Sequence, residues 1–346
     1  MKVRGYAAMK ANAALIPWEF ERRDLGAHDV ALDIKYSGIC HSDIHQAREE
    51  WGSAIFPMVP GHEIAGVVSS VGSSVTKFKV GDLIGVGVFV DSCRTCDSCK
   101  KGLQQYCIEG MTGTYNQLER DGKTPAMGGY SNIMVINEDY AVSIPKNLPL
   151  EGVAPLLCAG ITLYSPIKHW KAGPGKKVAV MGLGGLGHMG VKFAAALGAE
   201  VTVFSHSPAK EADAKAMGAH HFVATKADDF HKKYNKHFDL ILNTVSAELD
   251  INTYLSMLNV DGTLVVIGLP GKPYAVEAGS LLPARRSLSG SMIGGIAEMQ
   301  EMLNFCGEKN IVSDVEVIKA DYINQAYDRT VASDVKYRFV IDASTI

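Results

Sequence analysis

The sequence is poor in cysteine, in long apolar runs and in clusters of charge of one sign. Only seven of its 346 residues are cysteine, which excludes a small disulfide-rich scaffold. No apolar run approaches the roughly 18 residues that a membrane helix needs, and the N-terminal stretch has no secretory pattern. Lysine and arginine form no long runs and the net charge is −3, which argues against nucleic acid and membrane partners. From composition alone we therefore expect a soluble, cytoplasmic globular protein, and composition indicates nothing more specific.

The chain is long enough for two domains, and its pattern changes near residue 150. Before that point, β-rich segments such as DVALDIKYSG and EIAGVVSSVG alternate with glycine and proline, which predicts a mostly antiparallel, barrel-like domain. After it, apolar runs such as KKVAVMG, EVTVF and DLILNTV alternate with helical stretches such as GHMGVKFAAALGA and INTYLSMLN, which predicts an α/β domain with a doubly wound parallel sheet. From about Ala297 this alternation stops after a predicted helix over AEMQEMLNFCGEKN, and we expect the chain to return to the first domain.

Four of the seven cysteines lie in one loop, DSCRTCDSCKKGLQQYC, with the spacing C-x₂-C-x₂-C-x₇-C. They are Cys93, Cys96, Cys99 and Cys107. Disulfides are disfavoured because a cytosolic chain keeps its thiols reduced. A ferredoxin-type cluster would continue with C-x₃-C-P, whereas here seven residues precede Cys107 and Ile108 follows it. Four thiolates with no position left for water favour a structural zinc ion.

A glycine-rich loop, VAVMGLGGLGHMGVKFAAALG, joins an apolar strand to an apolar helix. Such glycines permit a tight turn and a close approach of the backbone to a pyrophosphate, and the helix N-terminus offers free N–H groups to phosphates. A glycine-rich turn without a ligand has the same local pattern, but the surrounding strand–helix units favour dinucleotide binding. The predicted contacts are Gly182, Gly184, Gly185, Leu186 and Gly187.

The end of the second strand in this domain distinguishes NAD from NADP. An NAD site usually has an acidic residue there that binds the ribose 2′-hydroxyl. Here the strand runs into SHSPAKEA, which supplies Ser205, His206, Ser207 and Lys210, while Glu200 precedes the strand and lies at its wrong end. Hydroxyls and a cation suit a 2′-phosphate that a carboxylate would repel. We therefore predict NADP(H), although the arginine usual at such sites is missing.

The remaining cysteines are candidates for a second metal site. Cys40 lies in SGICHSDIH, Cys158 lies in APLLCAGIT, and PGHEIAG contributes His62 and Glu63. Two cysteines and one histidine are a ligand set for catalytic zinc, which keeps its fourth position for water or substrate. A single cysteine is more often a packing residue than a ligand, and we keep that interpretation for Cys306.

Taken together, these motifs resemble the zinc-dependent medium-chain dehydrogenases. The stretches that carry the resemblance are GICHSDIH, VPGHEIAGVV, the four-cysteine loop, LLCAGITLYSP and GLGGLGHMGVK, and they span nearly the whole chain. The likeness is greatest to the NADP-dependent, cinnamyl-alcohol-dehydrogenase-like branch, whose members reduce aldehydes. It implies a GroES-like catalytic domain over 1–153, an inserted Rossmann domain over 154–296 and a return to the catalytic domain over 297–346.

The resemblance also implies the ligands of a catalytic zinc ion. Cys40, His62 and Cys158 would bind it, and Glu63 takes the position that approaches the metal when water or substrate leaves. Asp43 would hold the other ring nitrogen of His62. The stretch HSDIHQ also allows Asp43 to cap a helix, and both roles are compatible.

Further roles follow from the same resemblance. Ser42 would touch the substrate oxygen, and His45 would pass its proton to solvent. Thr162 would steady the nicotinamide, although packing within a helix explains it equally well. An apolar pocket for the substrate is expected at Trp51, Met111 and Ile293.

The expected activity is the NADP(H)-dependent interconversion of primary aromatic or medium aliphatic alcohols and aldehydes, with two zinc ions per chain. The stretch SLSGSMIGG resembles the edge strand through which such Rossmann domains pair, which predicts a homodimer. One rival hypothesis is an NAD-linked polyol or secondary-alcohol dehydrogenase. Another is a non-catalytic zinc-binding scaffold protein.

Overall fold

The computed structural model describes residues 1–226 and 230–346, which form two compact units. The first unit contains Met1–Ile161 and Gly294–Ile346, and the second contains Thr162–Ile293. Compared with these units, the expected limits 1–153, 154–296 and 297–346 place the first boundary eight residues earlier and the second boundary three residues later. The reason is local packing: Leu157, for example, lies directly against Gly85 in the β-rich unit.

The strands and α-helices of the described residues follow in chain order. The strands are β1 (Lys2–Ala7), β2 (Ile16–Glu21), β3 (Asp29–Gly38), β4 (Ile64–Val71), β5 (Leu83–Val86), β6 (Phe89–Asp91), β7 (Thr112–Gly113), β8 (Ile133–Asn137), β9 (Val142–Ser143), β10 (Lys177–Met181), β11 (Glu200–Ser205), β12 (His221–Ala224), β13 (Phe238–Asn243), β14 (Leu258–Val266), β15 (Ser287–Gly290), β16 (Val315–Lys319) and β17 (Arg338–Asp342). The α-helices are α1 (His41–Ala47), α2 (Asp97–Lys100), α3 (Leu150–Val153), α4 (Ala159–His169), α5 (Gly187–Ala196), α6 (Glu211–Ala216), α7 (Ile251–Ser256), α8 (Ala278–Leu281), α9 (Ile296–Lys309) and α10 (Ile323–Val331).

The first unit is built around a seven-stranded sheet of the order β16-β17-β3-β4-β5-β9, with β8 also paired to β3. All of these pairs are antiparallel except β16 with β17. The late strand β17 pairs with the early strand β3, and its Phe339 and Ile341 pack in one core with Val3 of β1 and Ile44 of α1. The C-terminal segment is therefore an integral part of this unit.

The second unit is a six-stranded parallel sheet of the order β12-β11-β10-β13-β14-β15. Met181 and Ile241 on one face pack with Leu255 of α7, whereas Val180, which points the other way, lies next to Gly190 of α5. Helices thus cover both faces, and the strand order is that of a Rossmann fold. The predicted doubly wound parallel sheet is confirmed.

Among the described residues, no single helix is both long and apolar enough to cross a membrane. Only the bent pair Leu150–Leu157 and Ala159–His169 meets both conditions when its two parts are taken together.

Candidate functional site

A cluster of two cysteines, one histidine and one glutamate forms inside the first unit. Cys40 is the N-cap of α1, His62 and Glu63 come just before β4, and Cys158 comes just before α4. The Nε2 of His62 lies 3.2 Å from the Sγ of Cys158. The candidate ligand atoms of all four residues lie within 4.8 Å of one another, and all four residues are buried. We call this set the first cluster.

The carboxylate of Asp43 orients the imidazole of His62. Its Oδ1 accepts a hydrogen bond from Nδ1 of His62 at 3.0 Å, so that Nε2 faces the sulfur atoms. Its Oδ2 accepts from the backbone N–H of Cys40 at 2.9 Å, which completes a capping box at the start of α1. Asp43 therefore holds the ring and also caps the helix, although the N-cap position itself belongs to Cys40.

Glu63 forms a buried ion pair with Arg338 of β17, whose Nη2 donates to Oε1 of the carboxylate. The same Nη2 donates to the carbonyl of Ile39 at 2.7 Å. The other oxygen of Glu63, Oε2, is buried and has no hydrogen-bond partner among the described residues. Burial raises the pKa of Glu63 to about 8, against the lowering effect of the Arg338 charge. An oxygen with open lone pairs thus lies beside the sulfur ligands.

The electrostatics of the first cluster favour negative charge on Cys40, whereas the hydrogen bond with Cys40 raises the pKa of Cys158 well above its ordinary value. A hydrogen bond from Cys158 outweighs burial and lowers the pKa of Cys40 well below its ordinary value. Burial lowers the pKa of His62, but Asp43 and Cys40 together raise it well above its ordinary value. A thiolate is the form of cysteine that binds metal ions.

The four-cysteine loop closes into a second cluster, in which the sulfur atoms of Cys93, Cys96, Cys99 and Cys107 lie within 4.8 Å of one another. Backbone N–H groups of Cys96 and Cys99 donate to the sulfurs of Cys93 and Cys96 at 3.3 and 3.5 Å. The bond from the Cys96 amide contributes most to lowering the pKa of Cys93, to about 6. Four converging sulfurs fill a tetrahedral site completely, as structural zinc requires.

The glycine loop of the second unit connects β10 to α5. Gly182 has a φ of +87°, which side-chain-bearing residues rarely adopt. A Cβ atom on Gly187 would lie 1.9 Å from the carbonyl oxygen of Gly182, so only glycine lets α5 begin this close to the end of β10. A Cβ on Gly184 would meet no atom within 4 Å, and Gly185 and Leu186 are half-buried. The loop backbone is therefore accessible at the helix N-terminus, where a pyrophosphate binds in Rossmann folds.

The predicted 2′-phosphate residues follow the end of β11. Ser205 is buried, and its Oγ accepts a hydrogen bond from the N–H of Ser207 at 3.3 Å. The ammonium group of Lys210 donates to the carbonyl of Leu183 at 2.8 Å, which ties this segment to the glycine loop. His206 is exposed. This end of the strand therefore presents hydroxyls and cations, and residues 205–210 contain no carboxylate.

Comparisons with known proteins agree on one family. Residues 26–146 match the alcohol dehydrogenase GroES-like domain, and residues 185–308 match the zinc-binding dehydrogenase domain. The NADP-dependent alcohol dehydrogenase C of Mycobacterium tuberculosis is 58% identical over 344 residues, which cover 99% of each chain. This chain belongs to the zinc-dependent medium-chain alcohol dehydrogenase family.

Two solved structures of cinnamyl alcohol dehydrogenases resemble this dehydrogenase over its full length. SbCAD4 from Sorghum bicolor has a TM-score of 0.96 at 43% identity, covering 99% of this chain and 98% of that one. The enzyme from Helicobacter pylori, solved in complex with NADP(H), has a TM-score of 0.93 at 43% identity, covering 99% of each chain. The GroES-like and Rossmann fold classes expected from the sequence are confirmed.

The donor atoms of this dehydrogenase fit zinc at both clusters. In the first cluster, two sulfurs and one imidazole nitrogen converge, and the 3.2 Å between Nε2 of His62 and Sγ of Cys158 lets both atoms bind one ion with bonds of about 2.0–2.3 Å. Cys306, by contrast, is fully buried in α9, and burial raises its pKa to about 12. The geometry suits a packing role for this thiol.

Two of the remaining predicted residues, Ser42 and His45, lie on α1, the helix that begins after Cys40. The Oγ of Ser42 lies 3.6 Å from the Sγ of Cys40. His45, one turn later, pairs through Nδ1 with the carboxylate of Glu50, and its ring stacks on Trp51 with centroids 4.8 Å apart. Trp51 is 49% exposed.

The other predicted residues are dispersed along the chain. Met111 is half-buried in the first unit. Thr162 and Ile293 are the first and last residues of the second unit, and both are buried. Glu200 is the first residue of β11, at the end of the strand away from Ser205, as the sequence indicated. The pocket role of Met111 and Ile293 and the nicotinamide role of Thr162 stay predictions.

Several partners of the site residues were not predicted from the sequence: Arg338, Tyr130, Glu50 and Tyr115, whose ring stacks on that of His62 with centroids 5.9 Å apart. Arg338 could have been found from the sequence, because a cation in the apolar run RFVID requires a buried anion as partner. Tyr130 and Glu50 could not, since their partners Asp43 and His45 are identified only by the folded geometry.

Proposed function

We propose that this chain is an NADP(H)-dependent zinc alcohol dehydrogenase that interconverts primary aromatic or medium aliphatic alcohols and aldehydes by hydride transfer. The observation that carries the proposal is the buried convergence of Cys40, His62 and Cys158 beside Glu63, with the His62 ring held by Asp43. The names of the relatives, NADP-dependent alcohol dehydrogenase and cinnamyl alcohol dehydrogenase, support this activity.

The first cluster would hold the catalytic zinc ion through Cys40, His62 and Cys158. Zinc bound there supplies a Lewis acid that polarises an aldehyde carbonyl and makes an alcohol more acidic. Glu63 is held beside these ligands by Arg338, and its unpartnered Oε2 supports a role as an additional ligand when the substrate leaves. The second cluster would hold a structural zinc ion, which gives two zinc ions per chain.

The proton of the substrate hydroxyl needs a path out of a buried site, and α1 provides one. The hydroxyl of Ser42 lies beside the first cluster, and it exchanges a proton with the substrate oxygen. His45 lies one turn further along α1 and is partly exposed to solvent. Because Glu50 binds Nδ1 of His45, the Nε2 atom is available to relay the proton to bulk water.

The second unit would bind NADP(H), whose nicotinamide ring carries the hydride. The glycine loop would hold the pyrophosphate, and the segment after β11 would bind the 2′-phosphate. The loop residues are Gly182, Gly184, Gly185, Leu186 and Gly187; those of the 2′-phosphate site are Ser205, His206, Ser207 and Lys210. Thr162 would contact the nicotinamide.

Trp51, Met111 and Ile293 would form an apolar substrate pocket. Apolar contacts discriminate one methylene group by only about 1–3 kcal/mol, so we expect a broad range of aldehydes to react. We further propose a cytoplasmic homodimer that pairs through the edge strand β15, which ends the order of the parallel sheet. We also propose that the catalytic domain is formed by 1–153 and 297–346, with 154–296 as the cofactor domain.

The experiment that tests the function compares NADPH and NADH as reductants of benzaldehyde, cinnamaldehyde, butanal and simple ketones, with the zinc content measured on the same sample. We expect NADPH-dependent reduction of the aldehydes and about two zinc ions per chain. Preference for NADH with polyols or secondary alcohols would support the NAD-linked alternative. One zinc ion and no turnover with any substrate would support the scaffold alternative.

A further inference from the structure

We propose that Tyr130 is a positioning residue of the first cluster. Its hydroxyl holds the carboxylate of Asp43, and through that carboxylate it fixes the imidazole of His62 in the orientation that metal binding requires. This inference rests on the proposed metal-binding role of Cys40, His62 and Cys158. Tyr130 is distant in sequence from these ligands, yet it would help the first cluster to retain its metal ion.

The carboxylate of Asp43 accepts four hydrogen bonds, which fill its available acceptor positions. Oδ1 accepts from Nδ1 of His62 at 3.0 Å and from the N–H of Gly61 at 3.1 Å. Oδ2 accepts from the N–H of Cys40 at 2.9 Å and from the hydroxyl of Tyr130 at 3.1 Å. Asp43 and Tyr130 are fully buried. Tyr130 is thus the one donor in this set that is neither backbone nor metal ligand.

The backbone around Tyr130 is bonded to the segment that leads into His62. The N–H of Tyr130 donates to the carbonyl of Pro60 at 2.9 Å, and the N–H of Gly129 donates to the carbonyl of Gly61 at 2.9 Å. Residues 128–130 and 59–61 therefore form one hydrogen-bonded pair of segments. Any shift of Tyr130 relative to His62 would break these bonds, so the hydroxyl has a defined position.

The half-buried side chain of Arg22 also holds this loop. The guanidinium of Arg22 donates to the carbonyl oxygens of Met127, Gly128 and Ile133, each at 2.8 Å. These bonds hold the loop on both sides of Tyr130. The hydroxyl of Tyr130 is therefore a preorganised hydrogen-bond donor, because Arg22 fixes the loop that carries it.

Loss of the Tyr130 hydroxyl would leave one acceptor position of a buried carboxylate empty. A carboxylate with an unsatisfied acceptor is stabilised by rotating toward other hydrogen-bond donors, and rotation of Asp43 would weaken its bond to Nδ1 of His62. Mutation of a residue that hydrogen-bonds directly to a metal-binding histidine lowers metal affinity about 10–100-fold. Mutation of Tyr130, which contacts the histidine only through Asp43, should therefore lower it by a smaller factor of about 3–10. The expected effect is on metal retention at one cluster, with little change in the fold.

The test uses the full-length holoenzyme and the variant Tyr130→Phe. Zinc release to an excess of chelator should become about 3–10-fold faster for one of the two ions and remain unchanged for the other. In the cadmium-substituted protein, the ¹¹³Cd resonance of the Cys₂His site should shift or broaden, while that of the four-cysteine site should not. The matched control is Tyr140→Phe, which removes the 2.7 Å hydrogen bond of another buried tyrosine hydroxyl to Ser92, whose Oγ lies 3.2 Å from the sulfur of Cys99 in the second cluster. Any effect of this variant on metal binding should therefore appear at the four-cysteine site. The variant should leave the resonance of the Cys₂His site unchanged.

A double-mutant cycle with Asp43→Asn separates positioning from general destabilisation. If Tyr130 acts through the carboxylate, the release rates of Asp43→Asn and of the double variant should agree within about a factor of two. Additive effects would overturn the inference, as would wild-type release and spectra for Tyr130→Phe. If Tyr130→Phe alone fails to fold, a double variant that folds and releases zinc at the rate of Asp43→Asn would still support action through the carboxylate, whereas a double variant that also fails to fold would overturn the inference. Failure of the proposed function has a different signature, because the wild-type protein itself would then lack the Cys₂His resonance.

Discussion

Arg338 donates to the carboxylate of Glu63 in the interior of the first unit, and so ties the last strand of the chain to the residue beside His62. Both side chains are almost completely excluded from solvent. The pair therefore links the C-terminal segment to the first cluster through two buried charges.

Replacing Arg338 by methionine should lower the free energy of unfolding by up to about 3–5 kcal/mol, because the Glu63 side chain, whose pKa is already about 8, is left buried without its counter-ion or must take up a proton. Urea denaturation of the zinc-loaded protein measures this loss. The double variant with Glu63→Gln should recover part of the lost stability, since it removes both charges. A loss below about 1 kcal/mol would show that the pair behaves like a surface ion pair.

Serine replacements in the two cysteine clusters should have different consequences. Cys40→Ser should abolish turnover and remove one zinc ion while leaving the fold largely intact. Cys96→Ser should instead lower the melting temperature or solubility, because structural metal sites contribute directly to folding. Activity, zinc content and thermal unfolding are measured in parallel. If both variants merely lost solubility, the assignment of two distinct sites would be wrong.

The substitution Gly187→Ala should distort the backbone of the glycine loop. Its Cβ would lie 1.9 Å from the carbonyl oxygen of Gly182, and a backbone atom cannot move away easily. Overpacking of this kind destabilises by about 1–3 kcal/mol or more, and we expect weaker NADPH binding as well. Gly184→Ala is the matched control, because its Cβ meets no atom within 4 Å and the melting temperature should stay unchanged. Wild-type stability and NADPH affinity for Gly187→Ala, measured by thermal unfolding and fluorescence titration, would contradict the loop geometry.

The thiols of the second cluster should differ in reactivity once zinc is removed. A hydrogen bond from the Cys96 amide holds the pKa of Cys93 at about 6, whereas burial raises that of Cys99 to about 11. The thiolate of Cys93 is therefore formed above about pH 6, and its alkylation by iodoacetamide should level off above neutral pH. Cys99 should stay protonated and react slowly until strongly alkaline pH. Peptide mass spectrometry of the alkylated metal-free protein gives both rates, and zinc should protect both thiols.

Local patterns predicted most of the regular structure well. The stretch DVALDIKYSG became β3, Asp29–Gly38, and AEMQEMLNFCGEKN became α9, Ile296–Lys309, because each has one clear hydrophobic period. The predicted helix over INTYLSMLN extends too far, since α7 ends at Ser256 and Leu258 already begins β14. A short apolar run such as this one does not distinguish a helix end from a strand start.

The individual hydrogen-bond partners of the site residues could not be predicted from sequence patterns. The donor set of each cluster was predictable, because cysteine is scarce in this chain and because cysteine and histidine are specific metal ligands. Tyr130 and Glu50 belong to common residue types whose sequence surroundings show nothing special. Their roles depend on a hydrogen bond to Asp43 and an ion pair with His45, which exist only in the folded chain.

By itself, the sequence determined which atoms are available to bind a metal or a dinucleotide: seven thiols, eleven imidazoles and one glycine loop, at spacings that restrict their chemistry. Only the tertiary structure decided how a ligand is held. It supplied the four donors around Asp43 and the buried cation beside Glu63. The physical reason is that ligand identity is a local property of the side chain, whereas its orientation and charge depend on groups that folding brings from distant parts of the chain.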